Sequence, residues 1–189
     1  MSGAAVPTNC WSARRAASPP APRWTWAAVR ERTPCGWPHA AGGSPGVDIS
    51  GTALERAAGH AADAGVGDRV AWERHELGRS FPEGSFDLVS AHYLQSPVPL
   101  DQQTVLREAA RAVAGGGTLL LVLHAGWPSW QTEPPFDAVF PTLDGVFAEL
   151  ALPEGEWAVE TKETVRRPST SPEGVEGFRE DHVWRLRRA

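Results

Sequence analysis

The chain has 189 residues, of which 41% are apolar and 22% charged, with a net charge of −5; these values belong to a globular protein long enough to bury one real core. Charge is unevenly shared, because residues 1–46 carry five arginines against Glu31 alone and so hold +4, leaving −9 for the remainder. An acidic body without a Lys/Arg stripe argues against nucleic acid as a partner, since duplex binding is driven by phosphate neutralisation. No apolar run approaches the roughly 20 residues that span a bilayer and no secretory apolar stretch opens the chain, so a soluble cytoplasmic protein with no membrane partner is expected.

Residues 1–45 are a run of Trp, Pro, Arg, Ala and Gly that holds four of the nine tryptophans and both cysteines, and no Leu, Ile or Phe precedes Ile49. Globular sequences use Leu more than any other residue, so this stretch is expected to be an irregular leader ahead of a folded domain at 46–189. Cys10 and Cys35 form no close pair and have no histidine at ligand spacing, which leaves no zinc site and no disulfide framework to expect.

Val47-Asp48-Ile49 reads as the end of a buried strand. Ser50 or Thr52 can cap a helix through Ala53, Leu54, Ala57, Ala58 and Ala61, which Gly65 ends. Residues 69–72 make a short second strand, and 86–91 a third, entered through the turn Pro82-Glu83-Gly84-Ser85. Asp101 can cap the next helix, whose apolar stripe is Val105, Leu106, Ala109, Ala110 and Val113, with Gly115-Gly116-Gly117 as its terminator. A continuous apolar strand follows at 118–123. After a Pro- and Trp-rich loop at 127–135, Thr142 can cap a short helix through Leu150. The stretches 157–165 and 181–186 make a closing antiparallel pair.

Strands apolar on both faces, alternating with helices, predict a mostly parallel sheet covered on both sides and wound right-handed. The fold class is therefore α/β and Rossmann-like, with an antiparallel C-terminal strand pair. Sheets of this kind bind ligands at the carboxyl ends of their strands.

Three segments in order, Gly46-Val47-Asp48-Ile49-Ser50, then Phe86 to Leu94, then Leu106-Arg107-Glu108-Ala109-Ala110 leading to Gly115-Gly116-Gly117-Thr118-Leu119-Leu120, resemble the motifs of S-adenosylmethionine-dependent methyltransferases of the seven-stranded α/β type. The resemblance covers residues 47 to 125 and looks closest to small bacterial members such as the tellurite-resistance and thiopurine types. It implies methyl transfer from S-adenosylmethionine to a small-molecule acceptor. It also implies that Asp48 accepts both ribose hydroxyls of the cofactor, a charge-assisted contact that needs an acid. Ile49 would lie on the adenine face. Glu76 and Leu77 stand where the family often places an acid and an apolar residue against the adenine, and Ala91 lies where the third strand would border the cofactor. His92 and Tyr93, just beyond that strand, are the candidate catalytic residues: methyl transfer rests on alignment, and His92 can take an acceptor proton near neutral pH. Tyr93, Trp127 and Trp130 could wall an apolar acceptor pocket and face the sulfonium. His124, ending the next strand, is a second candidate base.

Each of these residues has a plainer reading: helix capping for Asp48, core packing for Ile49 and the aromatics, a solvated surface for Glu76, a loop hydrogen bond for the histidines. Two other functions share the fold. One is a nicotinamide-dependent oxidoreductase, which also ends its second strand in a ribose-binding acid, and the other is a non-catalytic binding or regulatory protein.

The family's first motif, an acid followed by Gly-x-Gly-x-Gly between the first strand and first helix, is missing. Codon arithmetic accounts for it. Reading from the third base of each codon, Trp24 followed by Thr25 forces Asp, and Trp26 followed by Ala27 forces Gly. With synonymous codons chosen freely, the shifted frame from Arg23 through Pro45 reads Leu-Asp-Leu-Gly-Cys-Gly-Glu-Gly-Ala-Asp-Ala-Val-Trp-Leu-Ala-Ala-Arg-Gly-Trp-Arg-Val-Thr, directly before Gly46-Val47-Asp48. That is a first strand, a glycine loop, a helix and a second strand. Residues 1 to about 45 are thus expected to be a frameshifted translation of a methyltransferase's first βα unit. The chain as written would then lack a central strand and bind the cofactor weakly or not at all, and its remaining strands would expose an edge.

Overall fold

A computed structural model describes residues 26–27, 44–94, 100–133 and 138–189. Apart from Trp26–Ala27 and Ser44–Pro45, the expected irregular leader lies outside the described residues, as does the end of the Trp-rich loop. The elements run β1 (Trp26–Ala27), β2 (Ser44–Asp48), α1 (Gly51–Asp63), β3 (Val70–Arg74), β4 (Phe86–His92), α2 (Gln102–Arg111), β5 (Val113–His124), α3 (Leu143–Leu150), β6 (Trp157–Thr170) and β7 (Glu176–Arg188).

Local signals explain most element ends. Ser50 is the N-cap of α1, accepting from the Ala53 amide at 3.3 Å. The helix closes where Gly65, at φ +68°, lets its own amide and that of Val66 turn back onto the Ala62 and Ala61 carbonyls. Asp101 accepts from the Thr104 amide at 3.0 Å to start α2, and Thr142 accepts from the Gly145 amide at 3.0 Å to start α3.

Five strands form one sheet in the order β1-β4-β5-β7-β6, and β2 and β3 form a separate parallel pair. The sheet is parallel from β1 to β5 and antiparallel from β5 through β7 to β6. Trp26–Ala27 was expected to be irregular; instead its backbone pairs in parallel with Ala91 and His92. This two-residue strand packs beside β2 as well as β4, so it stands in the place where the shifted reading puts a full first strand.

The core lies under β4, β5 and β7. Leu119, Leu121 and Leu123 alternate inward from β5 and meet Val89 and Ala91 of β4, Trp184 and Leu186 of β7, Val105, Leu106, Ala109 and Ala110 of α2, and Val146 and Leu150 of α3. Among the described elements α2 and α3 pack on the five-stranded sheet, whereas α1 packs on β2 and β3. Leu120 and Val122, on the opposite face of β5, are accordingly only half-buried.

The triple glycine also differs from its sequence reading. The α2 helix ends at Ala112, Val113 is already strand, and Gly115-Gly116-Gly117 lies inside β5 at a bulge between the pairs Phe86–Val113 and Leu88–Thr118. Gly116 takes φ +72°, and a Cβ on Gly117 would sit 2.8–2.9 Å from the Ala114 and Phe86 carbonyl oxygens and the Val113 side chain. A bulge with backbone this close is a reason for glycine distinct from helix termination. Gly117→Ala is expected to lower unfolding stability by about 1–3 kcal/mol through forced backbone displacement, measured by urea denaturation.

The closing hairpin is longer than 157–165 and 181–186. The β5–β7 ladder stops at His124 and Asp181, yet β7 continues outward to Glu176 and β6 to Thr170. Five residues of β7 thus project roughly 16 Å beyond the end of β5. The loop after β5 is tied to this projection, with the Ala125 amide donating to the Glu180 carbonyl at 2.9 Å and Ser129 to Phe178 at 3.0 Å.

Candidate functional site

The carboxyl ends of the parallel strands carry Asp48 on β2, His92 and Tyr93 at and just after the end of β4, and His124 on β5. Asp48 is neither sealed in the interior nor the cap of α1. It is half-buried, and its Oδ1 accepts the Ser50 amide at 2.7 Å while Ser50 does the capping. This bond orients the carboxylate at the strand end. The strand end is held firmly: the His75 amide donates to the Asp48 carbonyl at 3.2 Å and Arg74 Nε to the Ile49 carbonyl at 2.9 Å. Beside it Ile49 is 54% exposed. An acid fixed at a parallel strand end beside an exposed branched apolar side chain matches the chemistry of a nucleoside, with a sugar to hydrogen-bond and a base to cover.

Three of the expected cofactor residues are placed otherwise. Glu76 is exposed and pairs with Arg79 at 3.1 Å, a solvated surface pair. Leu77 packs against the main hydrophobic core. Ala91 is fully buried in that core, where the inward face of β4 puts it, and its methyl touches no solvent. The spacing that nominated these residues fixes their position along the strands. It does not fix the side to which they turn.

The polar centre of this edge is built around a residue the sequence did not nominate. Asp181, 4% exposed, lies opposite His124 in the β5–β7 ladder. Its Oδ1 is 2.8 Å from His124 Nδ1, and its Oδ2 accepts from Arg167 Nε at 2.5 Å and from the Tyr93 hydroxyl at 3.2 Å. Tyr93 stacks on His124 with ring centroids 4.3 Å apart, and its hydroxyl also receives Arg167 Nη2 at 3.4 Å. To reach this position Tyr93 adopts φ +54°. Left-handed backbone is uncommon for a bulky residue, and such strain persists only where the surroundings hold it.

Burial pushes the Asp181 carboxyl up, but the hydrogen bonds from His124 and Arg167, with the Arg167 charge, outweigh it and hold the group below the usual carboxylate range. Burial and then the Asp181 charge push the Tyr93 phenol up, so Tyr93 stays protonated and acts as a donor. His92 sits edge-on to Tyr93, with Nε2 2.8 Å from Ser90 Oγ. Burial lowers its pKa below 6.5, against the opposing Asp181 charge, so the ring is neutral at pH 7.

The geometry therefore brings His92, Tyr93 and His124 together and adds Asp181 and Arg167. No local signal marked Asp181, which sits in the charged run Arg179-Glu180-Asp181-His182 of β7 and differs from its neighbours only in being buried. Trp127 and Trp130 lie on the loop that leaves His124. Trp127 meets Phe140 edge-on at 5.5 Å, and Arg179 from β7 lies over Trp130 at 5.2 Å.

Sequence comparison matches residues 38–121 to a methyltransferase domain. Solved structures give the same fold. A protein studied for the conversion of a disulfide bond into a thioacetal group during echinomycin biosynthesis superposes with a TM-score of 0.56 at 18% identity, over 77% of this chain. That match covers 66% of the other chain, just under two thirds of its length. YcgJ from Bacillus subtilis gives 0.53 at 15% identity, over 77% of this chain and 82% of that one. Geranyl diphosphate methyltransferase, solved with S-adenosylmethionine, gives 0.53 at 16% identity, over 79% and 70%. No curated protein matches the sequence. The chain thus carries, over residues 38–121, a segment similar to a methyltransferase domain, on a fold shared with a methyltransferase solved with S-adenosylmethionine.

Proposed function

We propose that this chain descends from an enzyme that transfers a methyl group from S-adenosylmethionine to a small molecule, and that it retains the nucleoside end of the cofactor site. Asp48 would take the ribose hydroxyls and Ile49 would cover the adenine. When bound, the cofactor supplies an electrophilic methyl carbon on a sulfonium. The acceptor would sit between His92, Tyr93 and His124 and the projecting β6–β7 hairpin. The observation that carries this reading is the fixed Asp48 carboxylate beside the exposed Ile49 at the end of a parallel strand.

A specific observation favours a second reading, binding without turnover. The sequence between β1 and β2 contains no glycine motif to admit the methionine half of the cofactor, and the strand described before it has two residues. Titration calorimetry with S-adenosylhomocysteine tests the nucleoside site. Binding is expected to be weak, and Asp48→Ala should reduce it about 10- to 100-fold, the worth of hydrogen bonds to a charged acceptor. Equal binding by Asp48→Ala, or tighter binding of NAD than of S-adenosylhomocysteine, would overturn the assignment.

A further inference from the structure

We infer that a cleft at the amino end of β5 binds a small amphipathic anion, an apolar body that carries one carboxylate, phosphate or sulfonate group. The cleft has a volume of about 340 Å³ and lies between the carboxyl ends of α2 and α3, the start of β6 and the end of β7. Arg188 stands opposite Trp157 in the β6–β7 ladder, and Arg187 stands opposite Thr118 where the β5–β7 ladder begins. From Thr118 to His124 the strand β5 runs roughly 20 Å. The cleft and the edge that holds Asp48, His92 and His124 are therefore at opposite ends of the strands, and the inference is independent of the methyl-transfer reading.

The floor of the cleft is apolar and its rim cationic. Ala110 and Leu150 belong to the core, and Leu152 and Trp157 pack against it. Three arginines, Arg107, Arg111 and Arg188, face one acid, Glu156. An excess of one positive charge remains even when Glu108, the partner of Arg111, is counted. Residues 47–189 together hold −9, so the cleft reverses the sign of the chain around it. The rival role for these arginines is to cap helix ends, and each of two does part of that work. Arg107 Nε donates to the Glu149 carbonyl at 2.9 Å, and Arg188 Nη1 donates to the carbonyls of Val113 at 2.7 Å and Arg111 at 3.5 Å. Carbonyls carry no net charge and a guanidinium has five N–H donors, so these bonds fix the arginines without neutralising them. Arg107 makes no ion pair among the described residues, although Asp101 at the start of α2 feels its charge. Arg188 Nη2 stands 3.9 Å from Glu156 Oε2, an open and half-exposed pair that an anion with two oxygens can displace. The Trp157 ring, centred 5.9 Å from the Arg188 guanidinium, gives an apolar body a face beside the charge.

The test is calorimetry of the full chain at low salt with 1-naphthalenesulfonate, and with 1-naphthalenesulfonamide as its uncharged counterpart. The sulfonate is expected to bind with a dissociation constant of about 1 mM or lower. Affinity should fall at least about tenfold for the sulfonamide, and by as much for the sulfonate in Arg107→Gln, the worth of one hydrogen bond to a charged group. Absence of sulfonate binding, equal binding of the sulfonamide, or unchanged affinity in Arg107→Gln overturns the inference. Nuclear magnetic resonance of the unsubstituted chain locates the probe without relying on a folded arginine variant. The amide signals of Ala110 and Ala151 and the indole signal of Trp157, identified with Trp157→Phe, should move on titration. Shifts at Ser50 and Tyr93 in their place would put the probe at the opposite edge and equally overturn the inference.

Discussion

Replacing residues 23–45 by the 22-residue shifted-frame sequence, which runs from Leu-Asp-Leu-Gly-Cys-Gly to Trp-Arg-Val-Thr, is expected to raise affinity for S-adenosylhomocysteine by at least about 100-fold, as two restored hydrogen bonds to charged groups at about 1.5–3 kcal/mol each would do. The glycines would let bare backbone approach the methionine half, and the helix that follows them would present its unpaired amides. The structure supplies a further reason. The shifted Leu-Asp-Leu-Gly falls within two residues of Trp26–Ala27, whose backbone already pairs with Ala91 and His92 at the end of β4. A full strand there would complete the row β3-β2-β1-β4-β5-β7-β6, and the restored helix would offer a cover for the half-buried side chains of Leu120 and Val122. Calorimetry on the two proteins measures the gain. An unchanged affinity, or a gene whose third-base frame in this region lacks the glycine motif, would end the frameshift account.

Trp184→Ala is expected to cost about 3–5 kcal/mol of unfolding stability, the range for deleting a large buried aromatic side chain. Trp184 is the largest fully buried side chain among the described residues and lies opposite Leu121 at the centre of the sheet. Its Nε1 donates to the Leu143 carbonyl at 3.1 Å, so one side chain both fills the core and fastens the start of α3 to β7. The alanine would leave a cavity between sheet and helix and remove the bond that ties the start of α3 to β7. Urea denaturation with tryptophan fluorescence would register the loss. Because a domain's stability is typically about 5–15 kcal/mol, this single substitution is expected to bring the chain close to unfolding at 37 °C. A loss below about 1 kcal/mol would mean that the hairpin carries little of the core's stability.

Sequence reading and structure agree where the determining interactions are local. Ser50, Asp101 and Thr142 cap the helices they were expected to cap, because a cap bonds to an amide three residues away. The alternation of apolar strand and helix likewise gave the parallel pairing of β2 with β3 and of β4 with β5, and the antiparallel close. Asp48 and Ile49 were legible as a pair because a strand end and the helix start after it occupy adjacent residues. Local reasoning failed at Gly115-Gly116-Gly117, where glycine serves a close approach of backbone from Phe86, some thirty residues upstream in the chain.

By itself, then, the sequence determined the fold class, the family resemblance, the strand edge that carries Asp48 and Ile49 and the absence of a glycine loop from the chain as written. Only the tertiary structure decided that Glu76 turns to solvent, that Leu77 and Ala91 turn to the core, and that Tyr93, His124, Arg167 and Asp181 meet. His124 and Asp181 are 57 positions apart, and Tyr93 and Asp181 are 88 apart. Partners at such separations are chosen by the register of β5 against β7 and β6 against β7. No periodicity or spacing in one segment encodes the register of another, which is fixed only when all the strands compete for the same core.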